Sequence, residues 1–211
     1  MKIFLDFDDT LFNTRAFAER VQGVFEEYGI SRELFWSSYQ DMKGAFLIGW
    51  CYSPEVHMQR LQPDHSFDIE QVRKKLGVLV ADTRRFLFHE VKESLSFLKA
   101  VGHTLYILSL GDYGFQMEKI RGTGIDVFME KVIVTQGDKA KALRDERVKG
   151  EGTWFIDDRV RFIESVKKTF PEVKTILMQR VGRYHQDEPN NFCDYVAQDL
   201  AEVVSILQRK Q

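Results

Sequence analysis

Ile3-Phe4-Leu5-Asp6-Phe7-Asp8-Asp9-Thr10-Leu11-Phe12 is the stretch on which the reading of this chain turns. Its first five residues form a short apolar run of strand type. Acids then follow at Asp6, Asp8 and Asp9, with Thr10 behind them. Two acids at i and i+2 directly after a buried strand are costly in a core. They mark a strand end at which something is done.

Outward from this run the pattern is first helical. Across residues 16–28, Phe17, Val21, Val24, Phe25 and Tyr28 recur at helical spacing, and Gly29 follows as a stop. Ser31 can cap a second helix with Leu34, Phe35, Tyr39, Met42, Phe46 and Leu47 on its apolar side. Pro54, behind Ser53, suits the first turn of a third. Asp68 can cap a fourth carrying Ile69, Val72, Leu76, Leu79 and Val80.

From residue 90 the rhythm changes to alternation. Helical patterns cover 90–100, 113–123, 138–147, 160–169 and about 200–208; strand patterns cover 104–110, 131–135, 153–157 and 173–178. Strands alternating with helices of this length predict an α/β fold, a Rossmann-like parallel sheet with helices on both faces. The helical stretch at 14–89 breaks that rhythm and reads as an insertion after the first strand. The expected organisation is a core of residues 1–13 and 90–211 and a small α-helical cap of residues 14–89. The polar run 180–191 (RVGRYHQDEPNN) reads as an exposed loop.

In open parallel sheets, sites form beyond the carboxyl ends of the strands. The first strand ends in Asp6, Asp8 and Thr10, and the second in Ser109-Leu110-Gly111-Asp112. The third leads to Asp138-Lys139 at a helix start, and the fourth ends in Asp157-Asp158. So many carboxylates at one edge need a cation. Hard oxygen ligands suit magnesium, which often binds substrate phosphate as well. With Lys139, Ser109 and backbone N–H groups, the ion would form a trap for a phosphoryl group that a carboxylate can attack.

These motifs resemble those of the haloacid dehalogenase-like superfamily. Asp6-Phe7-Asp8-Asp9-Thr10 matches its DxDxT signature; Ile107-Leu108-Ser109 resembles the second motif, Lys139 the third and Phe155-Ile156-Asp157-Asp158-Arg159 the fourth. The resemblance implies that Asp6 is a nucleophile that becomes an aspartyl phosphate and Asp8 the acid and base. Thr10 would orient Asp8 and the turn. It implies magnesium held by Asp6, the Asp8 carbonyl and Asp158, with Asp157 close by, and a phosphoryl group held by Ser109 and Lys139. Substrate contacts are expected at Ser109, Leu110 and Lys139. Two positions depart from the common pattern: Leu110 stands where many members have Asn, and Ala140 where many have Pro. Lys141 is a rival to Lys139, which is preferred because Asp138 would cap the helix and place Lys139 in its first turn. Dehalogenases of the superfamily lack the acid at Asp8, because a leaving halide needs no proton. The expected activity is therefore hydrolysis of a small phosphate monoester. A phosphomutase and a non-catalytic member that binds a phospho-ligand or a partner are the alternatives.

Composition agrees with an ordinary globular chain: 211 residues, 44% hydrophobic, 29% charged, net charge −2. The 30 basic and 32 acidic residues form no basic stripe, which argues against a nucleic acid polymer as partner. No apolar run reaches the roughly 18 residues that a membrane span needs, and a cytoplasmic protein with no membrane partner is expected. Cys51 and Cys193 read as two reduced thiols without metal spacing. Candidate substrate contacts in the insertion are Arg15, Trp36, Trp50, Tyr52, Arg84 and Arg85. His57, His65, His89, His103 and His185 show no ligand spacing and read as surface or packing residues.

Overall fold

A computed structural model describes residues 1–45, 51–181 and 187–209. Its strands are β1 (Lys2–Leu5), β2 (Thr104–Leu110), β3 (Lys131–Thr135), β4 (Thr153–Asp157), β5 (Lys174–Met178) and β6 (Tyr195–Ala197). They form one sheet in the order β3-β2-β1-β4-β5-β6, each neighbouring pair parallel. β1 thus runs inside the sheet. Leu5 lies opposite Ile107 on one side and Ile156 on the other. The next residue, Asp6, donates its N–H to the Ile156 carbonyl at 2.8 Å. That register carries Asp6, Ser109 and Asp157 to one edge.

The pleat sorts side chains to two faces. Ile3, Leu5, Ile107, Trp154, Ile156 and Ile176 join one apolar cluster, while Phe4, Leu108, Phe155 and Leu177 join another. The first cluster takes in α5 (Val91–Ala100), α6 (Tyr113–Thr123) and α9 (Leu200–Gln208) through Leu95, Ile120 and Val203. The second takes in α7 (Lys139–Asp145) and α8 (Val160–Thr169) through Leu143 and Ile163. Helices therefore cover both faces. Each fully buried Leu, Ile or Phe contributes about 1.5–3 kcal/mol.

Between β1 and α5 run α1 (Thr14–Glu26), α2 (Arg32–Ala45), α3 (Pro54–Leu61) and α4 (Ile69–Ala81). Their starts follow the expected chemistry. Ser31 Oγ accepts from the Leu34 N–H at 3.2 Å, and the Ser53 and Asp68 side chains cap α3 and α4 with Pro54 in the first turn of α3. Phe46, Leu47, Trp50 and His185 lie outside the described residues. The apolar cluster of these helices is continuous with the first face of the sheet. The two parts meet closely at Gly122 on α6: a Cβ there would fall 2.1 Å from the Val80 carbonyl oxygen of α4. Thr83 fastens the joint, taking its N–H to the Gly122 carbonyl at 3.0 Å and its hydroxyl to the Lys119 carbonyl at 2.7 Å.

Of the run 180–191, residues 181 and 188–191 are exposed as expected, but Arg180 is not. Arg180 is buried, and its guanidinium donates twice to the Thr10 carbonyl, pairs with Glu90 at 2.6 Å and lies 4.0 Å over the Phe88 ring. The three-residue β6 also went unread, being too short for a periodic signal. Cys51 and Cys193 are both free. No helix among the described residues is long and apolar enough to cross a membrane.

Candidate active site

The chain leaves β1 through a tight turn. Asp9 takes a positive φ of 54°, which Asp tolerates better than bulky residues do. The Phe7 carbonyl gathers the N–H groups of Leu11 and Phe12 at 2.9 and 3.0 Å. This turn points Asp6 and Asp8 in different directions.

Asp6 faces inward. It contacts the Lys139 ammonium, which also reaches Asp157 Oδ2 at 2.6 Å. Asp138 caps α7 by accepting from the Ala140 N–H at 2.8 Å, so Lys139 enters the site from the first turn as expected. Lys141 is exposed. Burial opposes the charge on Lys139, but Asp157 and Asp6 outweigh it and hold the ammonium above its ordinary pKa. Burial also dominates at Asp6. Despite Lys139, it and the neighbouring Asp157 and Asp8 push that carboxyl up to about 7.

Asp157 and Asp158 differ. Asp157 is fully buried and committed, with Oδ1 accepting from the Arg159 N–H at 2.9 Å and Oδ2 from Lys139. Asp158 is 4% exposed and borders the cavity over the site. Among the described residues no donor bonds to its carboxylate, and burial followed by Asp157 and Asp6 raises its pKa well above the usual range. Asp6, Asp157 and Asp158 each offer a carboxylate oxygen within 4.8 Å of the others. Three buried acids sharing one lysine are short of positive charge. An all-oxygen donor set of this kind fits a hard divalent cation.

Asp8 faces the cavity and is held by three side chains. Lys119 Nζ donates at 2.7 and 3.0 Å to its two oxygens, Gln116 Nε2 at 2.6 Å and Thr14 Oγ1 at 2.8 Å. Burial would raise its pKa, but Lys119 and these hydrogen bonds more than reverse that, and the group lies below its ordinary value. Lys119 itself is enclosed by the rings of Phe7, Phe12, Phe17 and Phe115, 5.3 to 5.8 Å from its nitrogen.

Thr10 does not orient Asp8. Among the described residues its buried hydroxyl has no hydrogen-bond partner, and it is Thr14, the first residue of α1, that bonds Asp8. The physical reason is the turn, which directs Thr10 away from Asp8 and offers its carbonyl to Arg180. Ser109 is buried behind the site, with Oγ accepting from Gln116 Nε2 at 2.7 Å, whereas Leu110 borders the cavity. Of the candidates in the helical insertion, Tyr52 borders the cavity. Arg15 pairs with Glu19, Arg84 with Asp82, Arg85 covers the Phe86 ring and Trp36 packs on Phe35 and Tyr39; none of these four reaches it. Lys119, Gln116, Thr14 and Arg180 were not read from the sequence. The available signal was Gln116 and Lys119 at i and i+3 beside Ile120, two polar groups on an apolar helix face.

The cavity between the sheet edge and the helical segment has a volume of about 420 Å³, the size of a small-molecule site. It contains Asp6, Asp8, Asp158, Lys119 and Lys139 on its sheet side.

No curated protein sequence matches the chain. Among solved structures it resembles a protein assigned as a haloacid dehalogenase-like hydrolase from Burkholderia xenovorans, with TM-score 0.77, 17% identity, and 99% of this chain and 96% of that one covered. It resembles a Bacillus subtilis protein of the same assignment, solved with magnesium bound, at TM-score 0.69 and 18% identity over 98% and 97%. A third likeness is to a protein assigned as a β-phosphoglucomutase from Thermotoga maritima, at TM-score 0.63 and 14% identity over 100% and 99%. At these identities the likenesses establish the fold. L-2-haloacid dehalogenases share it as well. A family model described as haloacid dehalogenase-like hydrolase matches residues 3–169, and the chain belongs to that family of enzymes.

Proposed function

We propose that this enzyme is a magnesium-dependent phosphatase that hydrolyses a small-molecule phosphate monoester through a phosphorylated Asp6. The observation that carries this reading is Asp8, a carboxylate two residues from the nucleophile, held at the cavity by Lys119, Gln116 and Thr14. Loss of a halide needs no proton donor; loss of an alkoxide does.

Asp6 and Asp158 would hold the ion, with Asp157 supporting them from behind. When bound it would neutralise charge on the phosphoryl oxygens. A carboxylate oxygen of Asp6 attacks phosphorus, the bond to the ester oxygen breaks, and Asp8 gives its proton to the departing alkoxide. Water then attacks the phosphorus of the aspartyl phosphate. Asp8 takes the water's proton, the bond to Asp6 breaks, and inorganic phosphate leaves. Lys139 holds Asp6 in place and offers its charge to the phosphoryl oxygens. The ionised Asp8 that Lys119 favours is the form the second step needs. For the first step, a dianionic phosphoryl group beside Asp8 raises its proton affinity. On this reading α1–α4 form the lid that excludes water and selects the alcohol.

The test is turnover of p-nitrophenyl phosphate with magnesium, with EDTA and by Asp6→Asn. Metal-dependent release of free phosphate by the wild type alone is expected. Activity that survives EDTA, or full activity in Asp6→Asn, would sink the proposal. Transfer between phosphate isomers with little free phosphate would indicate a mutase.

A further inference from the structure

One buried ion pair reaches the turn that carries Asp8 without reaching the cavity. Resting on the phosphatase reading, we propose that Arg180 is a positioning residue for the reaction: through the Thr10 carbonyl it fixes that turn, and Glu90 holds it there.

The turn from Asp8 to Phe12 needs fixing. Asp9 sits at φ 54°, in a backbone region that persists outside glycine only where the surroundings impose it. From inside, the Phe7 carbonyl gathers the N–H groups of Leu11 and Phe12. Thr10 is fully buried, and among the described residues the donors to its carbonyl are Arg180 Nε at 3.0 Å and Nη2 at 2.7 Å. A buried carbonyl without a donor is costly. The guanidinium fork therefore holds the turn at this point.

The guanidinium is itself held. Its Nη1 pairs with Glu90 Oε1 at 2.6 Å, and both side chains are buried. The same Glu90 oxygen accepts from the Leu200 N–H at 3.1 Å, at the start of α9. The Phe88 ring lies 4.0 Å from the guanidinium. Residues 86–88 bring the chain back from the helical insertion and run beside residues 11–13. Phe88 donates its N–H to the Leu11 carbonyl at 3.2 Å, and Asn13 donates to the Phe86 carbonyl at 2.7 Å. Arg180 thus ties the end of β5 to the returning linker and to the turn.

A shift of Thr10 would be felt at Asp8 more than at Asp6. Asp6 is anchored to β4 by its N–H and to Lys139 by its carboxylate. Asp8 lies within the turn, and its partner Thr14 is joined to Asp9 twice. The Asp9 N–H donates to Thr14 Oγ1 at 3.1 Å, and the Thr14 N–H to Asp9 Oδ1 at 3.3 Å. Arg180 is not among the residues that border the cavity, so it acts on the reaction through the turn.

The experiment replaces the pair by two methionines, Arg180→Met with Glu90→Met, and compares kcat/KM for benzyl phosphate and p-nitrophenyl phosphate. Apolar residues of similar volume in place of a buried ion pair keep stability near that of the wild type, whereas the Thr10 carbonyl loses its donors. p-Nitrophenolate departs without a proton; the benzyl alkoxide needs one from Asp8. The loss for benzyl phosphate should exceed that for p-nitrophenyl phosphate by about tenfold or more, because a displaced proton donor is a poor one. Equal losses on the two esters would mark a pair that serves stability alone, and they overturn the proposal, as does no loss on either. Arg180→Lys covers the case of a double variant that does not fold. It keeps a charge beside Glu90 but not the fork on Thr10, and should show the same ordering by about threefold or more; equal losses there overturn the proposal as well. Failure of the wild type to hydrolyse either ester overturns the phosphatase reading and this proposal with it.

Discussion

The edge of the sheet and the helical wall facing it are built on opposite principles. At the edge, ionised groups lock one another: Lys139 spans Asp6 and Asp157, and Lys119 holds Asp8. Across the cavity, aromatic side chains such as Tyr39 and Tyr52 hold one another by shape. The first arrangement fixes reacting atoms, since each charge has a defined partner and moving one strands another. The second fixes little about chemistry and much about what can be accommodated. On the proposed function, catalysis and selection are divided between two sets of residues that can be perturbed separately.

The division breaks most sharply at Lys139. Lys139→Met leaves three buried acids without their lysine, and removal of one partner from a buried ion pair costs about 3–5 kcal/mol. A melting-temperature loss together with an activity loss of roughly 1000-fold or more is expected in phosphate-release assays. Lys141→Met, on the exposed face of the same helix, should change neither. Equal effects of the two would overturn the assignment.

Lys119→Met tests the other lock. Methionine fits among the four rings, but Asp8 loses its cation; because Asp8 keeps some exposure at the cavity, the stability loss should be smaller than for Lys139→Met. The activity loss should be about 10- to 100-fold. Asp8 is held below its ordinary pKa chiefly by Lys119 acting against burial. Without that charge its pKa rises, and the acid limb of the rate profile should move to higher pH. An unshifted profile would show that Lys119 does not govern Asp8.

The helical side should answer to pH through stability. His57 is fully buried on α3 between Phe25, Phe35 and Tyr52. Burial, with Arg60 adding to it, lowers its pKa from 6.5 to about 4. Its folded pKa is depressed, so between pH 6.5 and 4 the unfolded chain binds a proton that the folded chain refuses. Stability from this group is present above pH 6.5 and falls on acidification by about 3 kcal/mol at most. His57→Met should flatten that part of the stability profile in denaturant titrations; an unchanged slope would contradict the assignment.

Gly122 tests the joint between the regions. Gly122→Ala drives a methyl against the Val80 carbonyl and should cost about 1–3 kcal/mol, measured by urea denaturation. A stability equal to wild type would mean that α4 and α6 part easily.

The same contrast governs how much could be read beforehand. Asp6, Asp8, Asp157 and Asp158 stand at strand ends, where acids are conspicuous in sequence. Lys139 follows a capping Asp, so its direction could be inferred. The sheet and most helices were legible because their apolar periods are regular. Lys119 was not, because a lysine on a helix normally faces water, and its partner Asp8 is 111 residues away. Arg180 was lost in a polar run for the same reason: its partners, Thr10 and Glu90, become neighbours only after folding. Thr10 and Thr14 exchanged roles through the direction of one tight turn. The aromatic wall was visible as helical packing, but nothing in its period distinguished rings that face a cavity from rings that face a core.

The central claim is that Asp6 carries the phosphoryl group. Acid-quenched early turnover of a phosphate ester with a radiolabelled phosphoryl group, followed by peptide mapping, tests it directly. The mechanism predicts a hydroxylamine-labile label on the peptide containing Asp6. With a p-nitrophenyl ester, whose leaving group departs without a proton, that label should accumulate in Asp8→Asn, in which water is no longer activated, and be missing in Asp6→Asn. Continued turnover with no label on Asp6, or a label on another residue, would contradict it.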